Sequence, residues 1–258
     1  MSGAQSLLDL SGRVALVTGG SRGIGREMSV GLARAGAAVA VNYVRNEAAA
    51  EATVAAIAAE GGNAVLFRAD VSDAHAVNVM VSEIEARLGS VGILVNNAWP
   101  TPWVGGSIEE LEWDAYQRYV DQMLRAAYNT VRATVAGMRA NAWGRIINIG
   151  TTAMYELNDE STPYISAKGA LLAFTRGLAR DLGPSNICVN MVSPSVIYTG
   201  EGDPPPGWGE VHAARSALGR NPTAWESAGP VVFLASPLAD AVTGIQLPVA
   251  CGLVMQAG

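Results

Sequence analysis

A glycine-rich turn between a short apolar run and a helical pattern is the feature that most constrains the fold of this chain. Residues 14–17 are apolar and lead into Thr18-Gly19-Gly20-Ser21-Arg22-Gly23-Ile24-Gly25, and a helical pattern follows over 24–35. Glycine allows a tight turn and close approach of the backbone to a pyrophosphate, which then lies at the positive end of the helix. This context predicts a dinucleotide site. Its expected contacts are Gly19, Ser21, Arg22, Gly23, Ile24 and Gly25.

Apolar, β-branched runs alternate with alanine-rich helical stretches along the rest of the chain. The candidate strands are 14–18, 38–43, 64–68, 93–97, 145–149, 187–192 and 245–249, and the candidate helices are 24–35, 47–59, 74–88, 108–140, 163–182 and 224–234. Strands that are apolar on both faces are typical of a parallel sheet covered by helices on each side. We therefore predict an α/β fold, a Rossmann-like doubly wound parallel sheet, in one domain over residues 1–258.

Composition excludes several classes of protein. The net charge of −6 and the absence of a Lys/Arg run argue against a nucleic-acid partner. No stretch of about 18 apolar residues could span a membrane, and no secretory signal is apparent, so we expect a cytoplasmic protein. The two cysteines and two histidines lack metal-ligand spacing, so we expect no metal. Half of the residues are hydrophobic and 16% are charged, which favours self-association.

Two segments stand outside the strand–helix pattern. Residues 1–9 are expected to form an N-terminal tail. Residues 198–217 contain the Pro/Gly-rich stretch 200–209 and follow the end of a strand, where open α/β sheets bind ligands. This segment is either a substrate lid or an ordinary surface loop.

Further residues favour a nucleotide, with NADP(H) preferred over NAD(H). Asp70 and Val71 end the third strand, where a carboxylate can bind an adenine amino group, and Asn97 ends the fourth; a helix cap and a turn are the alternative interpretations. An acidic residue after the second strand would repel a 2′-phosphate. No acid occurs there before Glu47, whereas Arg22 and Arg45 could both pair with a phosphate.

Tyr164 and Lys168 form the candidate proton-transfer pair. They are four residues apart in a predicted helix and therefore share one face. An ammonium beside a phenol favours the phenolate and lowers a pKa that is ordinarily about 10. A tyrosine tuned in this way can exchange a proton with a carbonyl or an alcohol. The alternative is a surface tyrosine beside a solvated lysine.

Together these motifs resemble the classical short-chain dehydrogenase/reductase family, particularly its 3-oxoacyl-carrier-protein reductase branch, from about Leu10 to Gly252. The resemblance implies a homotetramer or homodimer and hydride transfer between a nicotinamide and a carbonyl or alcohol. It assigns the role of general acid/base to Tyr164. It assigns two roles to Lys168, which lowers the pKa of Tyr164 and binds the nicotinamide ribose. The substrate oxygen falls to Thr151, where the family has serine, with the neighbouring hydroxyl of Thr152 as the alternative. Pro194 and Ile197 are implied in cofactor binding.

The chain departs from the family pattern near the expected reaction centre. Met123 stands where the family has an asparagine that holds a relay water, and a thioether is only a weak acceptor. Trp99 replaces a glycine beside the nicotinamide pocket. The substrate-pocket candidates are mostly aromatic, which favours an apolar or aromatic substrate: Trp99, Trp103, Met154, Tyr155, Tyr198 and Trp208. Some of these side chains would instead belong to the core or to a subunit interface.

Three functional hypotheses follow. The first is an NADP-dependent carbonyl reductase or alcohol dehydrogenase, acting on a small molecule with Tyr164 as general acid/base. The second is a cofactor-binding sensor or scaffold with little catalysis, which the missing asparagine favours. The third is a non-redox elimination on the same fold, against which the intact glycine turn weighs.

Overall fold

The seven apolar runs form one parallel sheet in a computed structural model, which describes residues 7–99, 104–156, 162–200 and 203–255. Its strands are β1 (Val14–Val17), β2 (Ala38–Tyr43), β3 (Asn63–Arg68), β4 (Val91–Asn96), β5 (Gly144–Ile149), β6 (Ile187–Pro194) and β7 (Gln246–Val249). The α-helices are α1 (Gly23–Arg34), α2 (Glu47–Ala59), α3 (Ala74–Leu88), α4 (Trp113–Ala140), α5 (Ala153–Glu156), α6 (Thr162–Leu182), α7 (Glu210–Arg215) and α8 (Ala228–Ala235). Short 3₁₀ turns occupy Gly183–Ser185, Trp225–Ser227 and Pro237–Ala239.

The strand order is β3-β2-β1-β4-β5-β6-β7, and all of the pairings are parallel. The order reverses between β1 and β4, which creates a crevice at the carboxyl ends of the strands. One apolar core lies between the sheet and α1, α2 and α8, and a second lies between the sheet and α3, α4 and α6. The predicted doubly wound sheet is therefore confirmed.

Two details of the helices differ from the sequence prediction. Helix α4 begins at Trp113 rather than at residue 108. The Ser107 carbonyl accepts hydrogen bonds from the Glu110 and Leu111 N–H groups in a turn, and the backbone of Glu112 is extended. The last helix begins at Ala228, after a 3₁₀ turn. Helices α5 and α7 were not predicted, since four and six residues are too few to display a 3.6-residue period.

Within the described part of the chain, every helix is too short or too polar to cross a lipid bilayer.

Candidate functional site

The glycine turn lies at the crevice and is fixed by side chains from neighbouring strands. Gly19 and Gly23 have φ values of +61° and +54°, which glycine adopts without strain. The Gly19 N–H donates to Asn42 Oδ1 at 3.1 Å. Asn97 Nδ2 donates to the Thr18 and Gly19 carbonyls at 3.0 and 3.2 Å. The turn is therefore held by its own neighbours before any ligand binds.

The start of α1 is shaped to admit a phosphate. A Cβ on Gly25 would lie 2.2 Å from the Gly19 carbonyl oxygen, so only glycine fits this cradle. Arg22 precedes the helix in extended conformation without a side-chain cap, and the first turn has no acidic residue. The N–H groups and positive end of α1 thus suit an anion. A Cβ on Gly23 would lie 3.3 Å from Thr199 Cβ, so the segment after β6 borders the same crevice.

The other predicted nucleotide contacts lie along this edge of the sheet. Asp70 is exposed and accepts hydrogen bonds from the Ser72 N–H and hydroxyl at 2.9 and 2.7 Å, so its carboxylate also stabilises a turn. Val71 is buried beside it. Pro194 ends β6 and is buried, and Ile197 follows half-buried.

Two exposed arginines lie in the turns that follow the first two strands: Arg22 in the glycine turn after β1 and Arg45 in the turn after β2. In the described ranges, neither guanidinium forms an ion pair. The nearest acid, Glu47, accepts a hydrogen bond from the Tyr43 hydroxyl at 2.9 Å. Burial is the largest cause that raises the pKa of Tyr43, and the bond to Glu47 adds to it.

Thr151, Tyr164 and Lys168 come together at the carboxyl end of β5. Thr151 is the second residue after the strand, and Tyr164 and Lys168 share one face of α6. Thr151 and Lys168 are both buried, and the Lys168 ammonium donates to the Ile149 carbonyl at 2.6 Å. The Thr151 side chain is hydrogen-bonded to the Tyr164 side chain. The hydroxyl groups of Tyr164 and Thr151 are thus direct neighbours.

The protonation of this pair differs from the sequence expectation that Lys168 lowers the pKa of Tyr164. Burial raises the pKa of Tyr164, while the hydrogen bond with Thr151 acts in the opposite direction. Burial also lowers the pKa of Lys168 to about 8. The reason is geometric: the ammonium is bonded to the Ile149 carbonyl, and Nζ lies 5.9 Å from the Tyr164 ring centroid. Desolvation therefore dominates both groups.

Trp99 covers the candidate tyrosine. Its indole is stacked on the Tyr164 ring, with centroids 4.9 Å apart and planes 12° from parallel. It also meets Tyr119 edge-on at 6.1 Å, and Lys168 Nζ lies 5.9 Å from its ring centroid. Trp99 is 44% exposed, whereas Tyr119 is fully buried. The residue that replaces the family glycine thus forms one wall of the site.

Met123 is buried on α4 and, with Thr18, Asn96 and Lys168 among others, lines a cavity of about 10 Å³. This is roughly the volume that one water needs. Met123 therefore lines a small pocket together with Lys168, at the position where the family pattern has an amide.

The remaining substrate-pocket candidates are only partly brought together. Tyr198 and Trp208 contact each other edge-on at 5.3 Å. Tyr155 is half exposed, and its hydroxyl donates to Gln246 Oε1 on β7 at 2.5 Å, while Met154 is half-buried. Trp103 lies outside the described residues, as do residues 201 and 202 of the predicted lid and residues 1–6 of the predicted tail.

Sequence reasoning missed several residues that shape the site. Asn42 is a buried amide in an otherwise apolar strand, and that interruption was the available signal. Gln246 donates to Ser193 Oγ at 2.7 Å and to the Thr151 carbonyl at 3.5 Å. Glu156 and His212 form a contact between α5 and α7 at 3.4 Å, and nothing in the sequence pattern pairs them.

In the described residues, no group of three or more His, Cys, Asp or Glu side chains is arranged to hold a metal ion.

Comparison with known proteins places this geometry in a family. The model of the family described as enoyl-(acyl carrier protein) reductase matches residues 19–254. The chain is 36% identical over 249 residues to the 3-oxoacyl-[acyl-carrier-protein] reductase FabG of Pseudomonas aeruginosa, covering 96% of this chain and 100% of that protein. It is 36% identical over 266 residues to a cyclohexanol dehydrogenase of a Rhodococcus species, covering 95% and 97% of the two chains.

A solved structure is also similar to this chain in sequence and in fold. The gluconate 5-dehydrogenase of Burkholderia cenocepacia, in complex with NADP and tartrate, is 32% identical and superposes with a TM-score of 0.87 over 96% of this chain and 98% of that one. Because the match spans the glycine turn, Tyr164 and the last strand, the chain belongs to the short-chain dehydrogenase/reductase family, in the branch of the 3-oxoacyl-acyl-carrier-protein reductases, and is an NAD(P)-dependent oxidoreductase.

Proposed function

We propose that this protein transfers a hydride between NADP(H) and the carbonyl or alcohol group of an apolar or aromatic small molecule, as a carbonyl reductase or alcohol dehydrogenase. One observation carries the proposal: the Thr151 and Tyr164 side chains are hydrogen-bonded to each other, one helical turn from the buried Lys168. A substrate oxygen held by Thr151 lies within reach of the proton on Tyr164. The nicotinamide, when bound, supplies or accepts the hydride.

Each candidate residue then has a distinct role. Thr151 donates or accepts a hydrogen bond at the substrate oxygen, and Tyr164 delivers or removes the proton there. The raised pKa of Tyr164 keeps its hydroxyl protonated near neutral pH, so the residue holds the proton that carbonyl reduction requires. Lys168 uses one of its three donors on the Ile149 carbonyl, which leaves two for the nicotinamide ribose.

The aromatic side chains support an apolar or aromatic substrate. Trp99 presents a flat indole against Tyr164, and Tyr198 and Trp208 form a second aromatic pair in the 198–217 segment. Planar or alicyclic ketones would bury apolar area against such surfaces. The similarity to a protein named cyclohexanol dehydrogenase is consistent with a ring-containing alcohol or ketone.

The preference for NADP(H) rests on charge. Arg22 in the glycine turn and Arg45 after β2 are both exposed, and the acid that follows Arg45 in sequence, Glu47, accepts a hydrogen bond from Tyr43. Two guanidinium groups without local acidic partners favour a 2′-phosphate over a free hydroxyl. A similar solved structure contains NADP.

The test is fluorescence titration with NADPH and with NADH, followed by NADPH oxidation in the presence of aromatic, alicyclic and aliphatic ketones and aldehydes. We expect tighter binding of NADPH and turnover of ring-containing ketones. Tyr164→Phe should abolish turnover and leave NADPH affinity within about threefold. Full turnover by Tyr164→Phe would exclude the proposed role.

A second candidate is a cofactor-binding sensor with little catalysis. Met123 in the place of an amide and Trp99 over Tyr164 favour it. The same experiment separates the two functions. A sensor would bind NADPH tightly but would not oxidise it with any carbonyl compound of the panel.

We also propose a homotetramer or homodimer. Helix α4 exposes Trp113 at 67% and Tyr128 at 45%, and the family resemblance pairs α4 and α6 between subunits. Light scattering coupled to gel filtration tests this, and a monomer at micromolar concentration would contradict it.

A further inference from the structure

Glu156 is a buried carboxylate outside the reaction centre, and it connects the short helices α5 and α7. Glu156 ends α5, the short helix that follows Thr151, and its side chain is only 3% exposed. Its Oε1 accepts a hydrogen bond from the Thr152 hydroxyl at 2.5 Å. Among the described residues, its Oε2 accepts none, but it lies 3.4 Å from His212 Nε2. A buried carboxylate is costly unless it is paired, so His212 is the counterpart on which Glu156 depends.

The partner belongs to the segment predicted as a lid. His212 is in the middle of α7, and its side chain is 22% exposed. Helix α7 begins two residues after Trp208, which contacts Tyr198 at 5.3 Å. The contact with Glu156 therefore connects the aromatic pair to the loop that carries Thr151.

The other side of α5 is already fixed to the sheet. The Tyr155 hydroxyl donates to Gln246 on β7, and Gln246 donates in turn to Ser193 on β6. The Thr151 hydroxyl accepts from the Ala153 N–H at 3.1 Å. Helix α5 is thus a fixed base, and the Glu156–His212 contact attaches α7 to it.

We propose that Glu156 and His212 are positioning residues that hold α7 and the Tyr198–Trp208 pair against the loop of Thr151, and that they thereby set the affinity for substrate. The consequence for substrate rests on the proposed function. Neither residue touches the reacting atoms in this account. Loss of the contact should therefore raise KM and leave kcat and NADPH affinity nearly unchanged, because α6 and the glycine turn do not depend on it.

The experiment compares His212→Ala, Glu156→Gln and the double variant with the parent protein. Hydrogen–deuterium exchange of peptides that cover α7 is measured first, since it requires no substrate. We expect faster exchange of α7 in both single variants, by about five- to tenfold, and no further increase in the double variant, since contacting residues are not additive. KM for the best ketone should rise by a similar factor. His212→Gln, which keeps an N–H donor, should restore most of the protection.

Two control variants test whether changes in the exchange of α7 and in KM are specific to the Glu156–His212 contact. His75→Ala removes the other histidine, exposed on α3, and Glu210→Gln removes an exposed carboxylate on α7 itself. Both should leave the exchange of α7 and KM unchanged. Unchanged exchange of α7 in His212→Ala, or additive effects in the double variant, would overturn the proposal. If the parent protein reduced no carbonyl, the proposed function would fail, while the exchange data would still decide whether the contact holds α7.

Discussion

Replacing Trp99 by glycine, the residue that the family pattern has at this position, tests how far the indole controls Tyr164. A little over half of the indole is buried, against Tyr164 and Tyr119. A fully buried tryptophan removes about 150–250 Å² from water, so roughly 100 Å² is at stake here. At about 25 cal/mol per Å², the loss is about 2.5 kcal/mol, and the stacking adds about 1 kcal/mol.

The substitution should also change the acidity of Tyr164. Burial is the largest cause that raises the pKa of Tyr164, and the indole supplies part of that burial. Removing it admits water, so the pKa of Tyr164 should fall toward its ordinary value of about 10. The limb of the pH–rate profile that belongs to Tyr164 should then move to lower pH. Bulkier ketones should gain in kcat/KM relative to planar ones.

The assay combines urea unfolding with pH profiles of kcat/KM for Trp99→Gly and for Trp99→Phe, which keeps a smaller aromatic face. The phenylalanine variant should fall between the parent and the glycine variant in both measurements. Trp225→Phe, at a tryptophan that is 43% exposed in the 3₁₀ turn before α8, serves as the control. The reasoning is refuted if the glycine variant keeps the parent pH profile and loses less than about 0.5 kcal/mol, the scale of an ordinary surface substitution.

Three further predictions concern burial, charge and backbone geometry. Burial lowers the pKa of Lys168 in the folded state from 10.5 to about 8. The charged ammonium therefore destabilises the fold below pH 8, and the free energy of unfolding rises as the pH increases from about 8 to about 10.5. Lys168→Met should therefore be more stable than the parent at pH 7 by up to about 3 kcal/mol in urea unfolding, with a smaller gap at pH 9.5; an equal gap at both pH values would contradict this. The Arg22→Ala/Arg45→Ala double variant should bind NADPH about tenfold or more weakly in calorimetry, with NADH affinity within about twofold, and equal losses for both would contradict a phosphate site. Gly25→Ala places a Cβ 2.2 Å from a turn carbonyl and should lose dinucleotide binding, whereas Gly169→Ala, with no atom within 4 Å of its added Cβ, should not; retained affinity in Gly25→Ala would contradict the cradle.

The fold was predictable because its signals are local and repeated. Every predicted strand appears in the sheet, since runs that are apolar on both faces have few alternatives to a buried parallel strand. The glycine turn was also predictable, because positive φ angles at Gly19 and Gly23 leave few other residues there. The start of α4 was placed too early, because the turn at Ser107–Leu111 depends on a single carbonyl that no periodicity reveals.

The placement of Tyr164 and Lys168 was predictable from the sequence, but their energetics were not. Spacing brought Tyr164 and Lys168 to one face of α6, as a helix requires. It did not reveal that Lys168 bonds the Ile149 carbonyl, nor that burial outweighs its influence on Tyr164. These depend on long-range packing, as does the contact of Glu156 with α7.

The most direct test of the central claim is the transfer of deuterium from NADPH deuterated at C4 of the nicotinamide into the product alcohol, followed by mass spectrometry. The parent protein should place deuterium on the carbinol carbon of a ring-containing ketone, and Tyr164→Phe should bind the same cofactor and transfer none. Absence of deuterium in the product of the parent, or equal transfer by Tyr164→Phe, would contradict hydride transfer with Tyr164 as the proton donor.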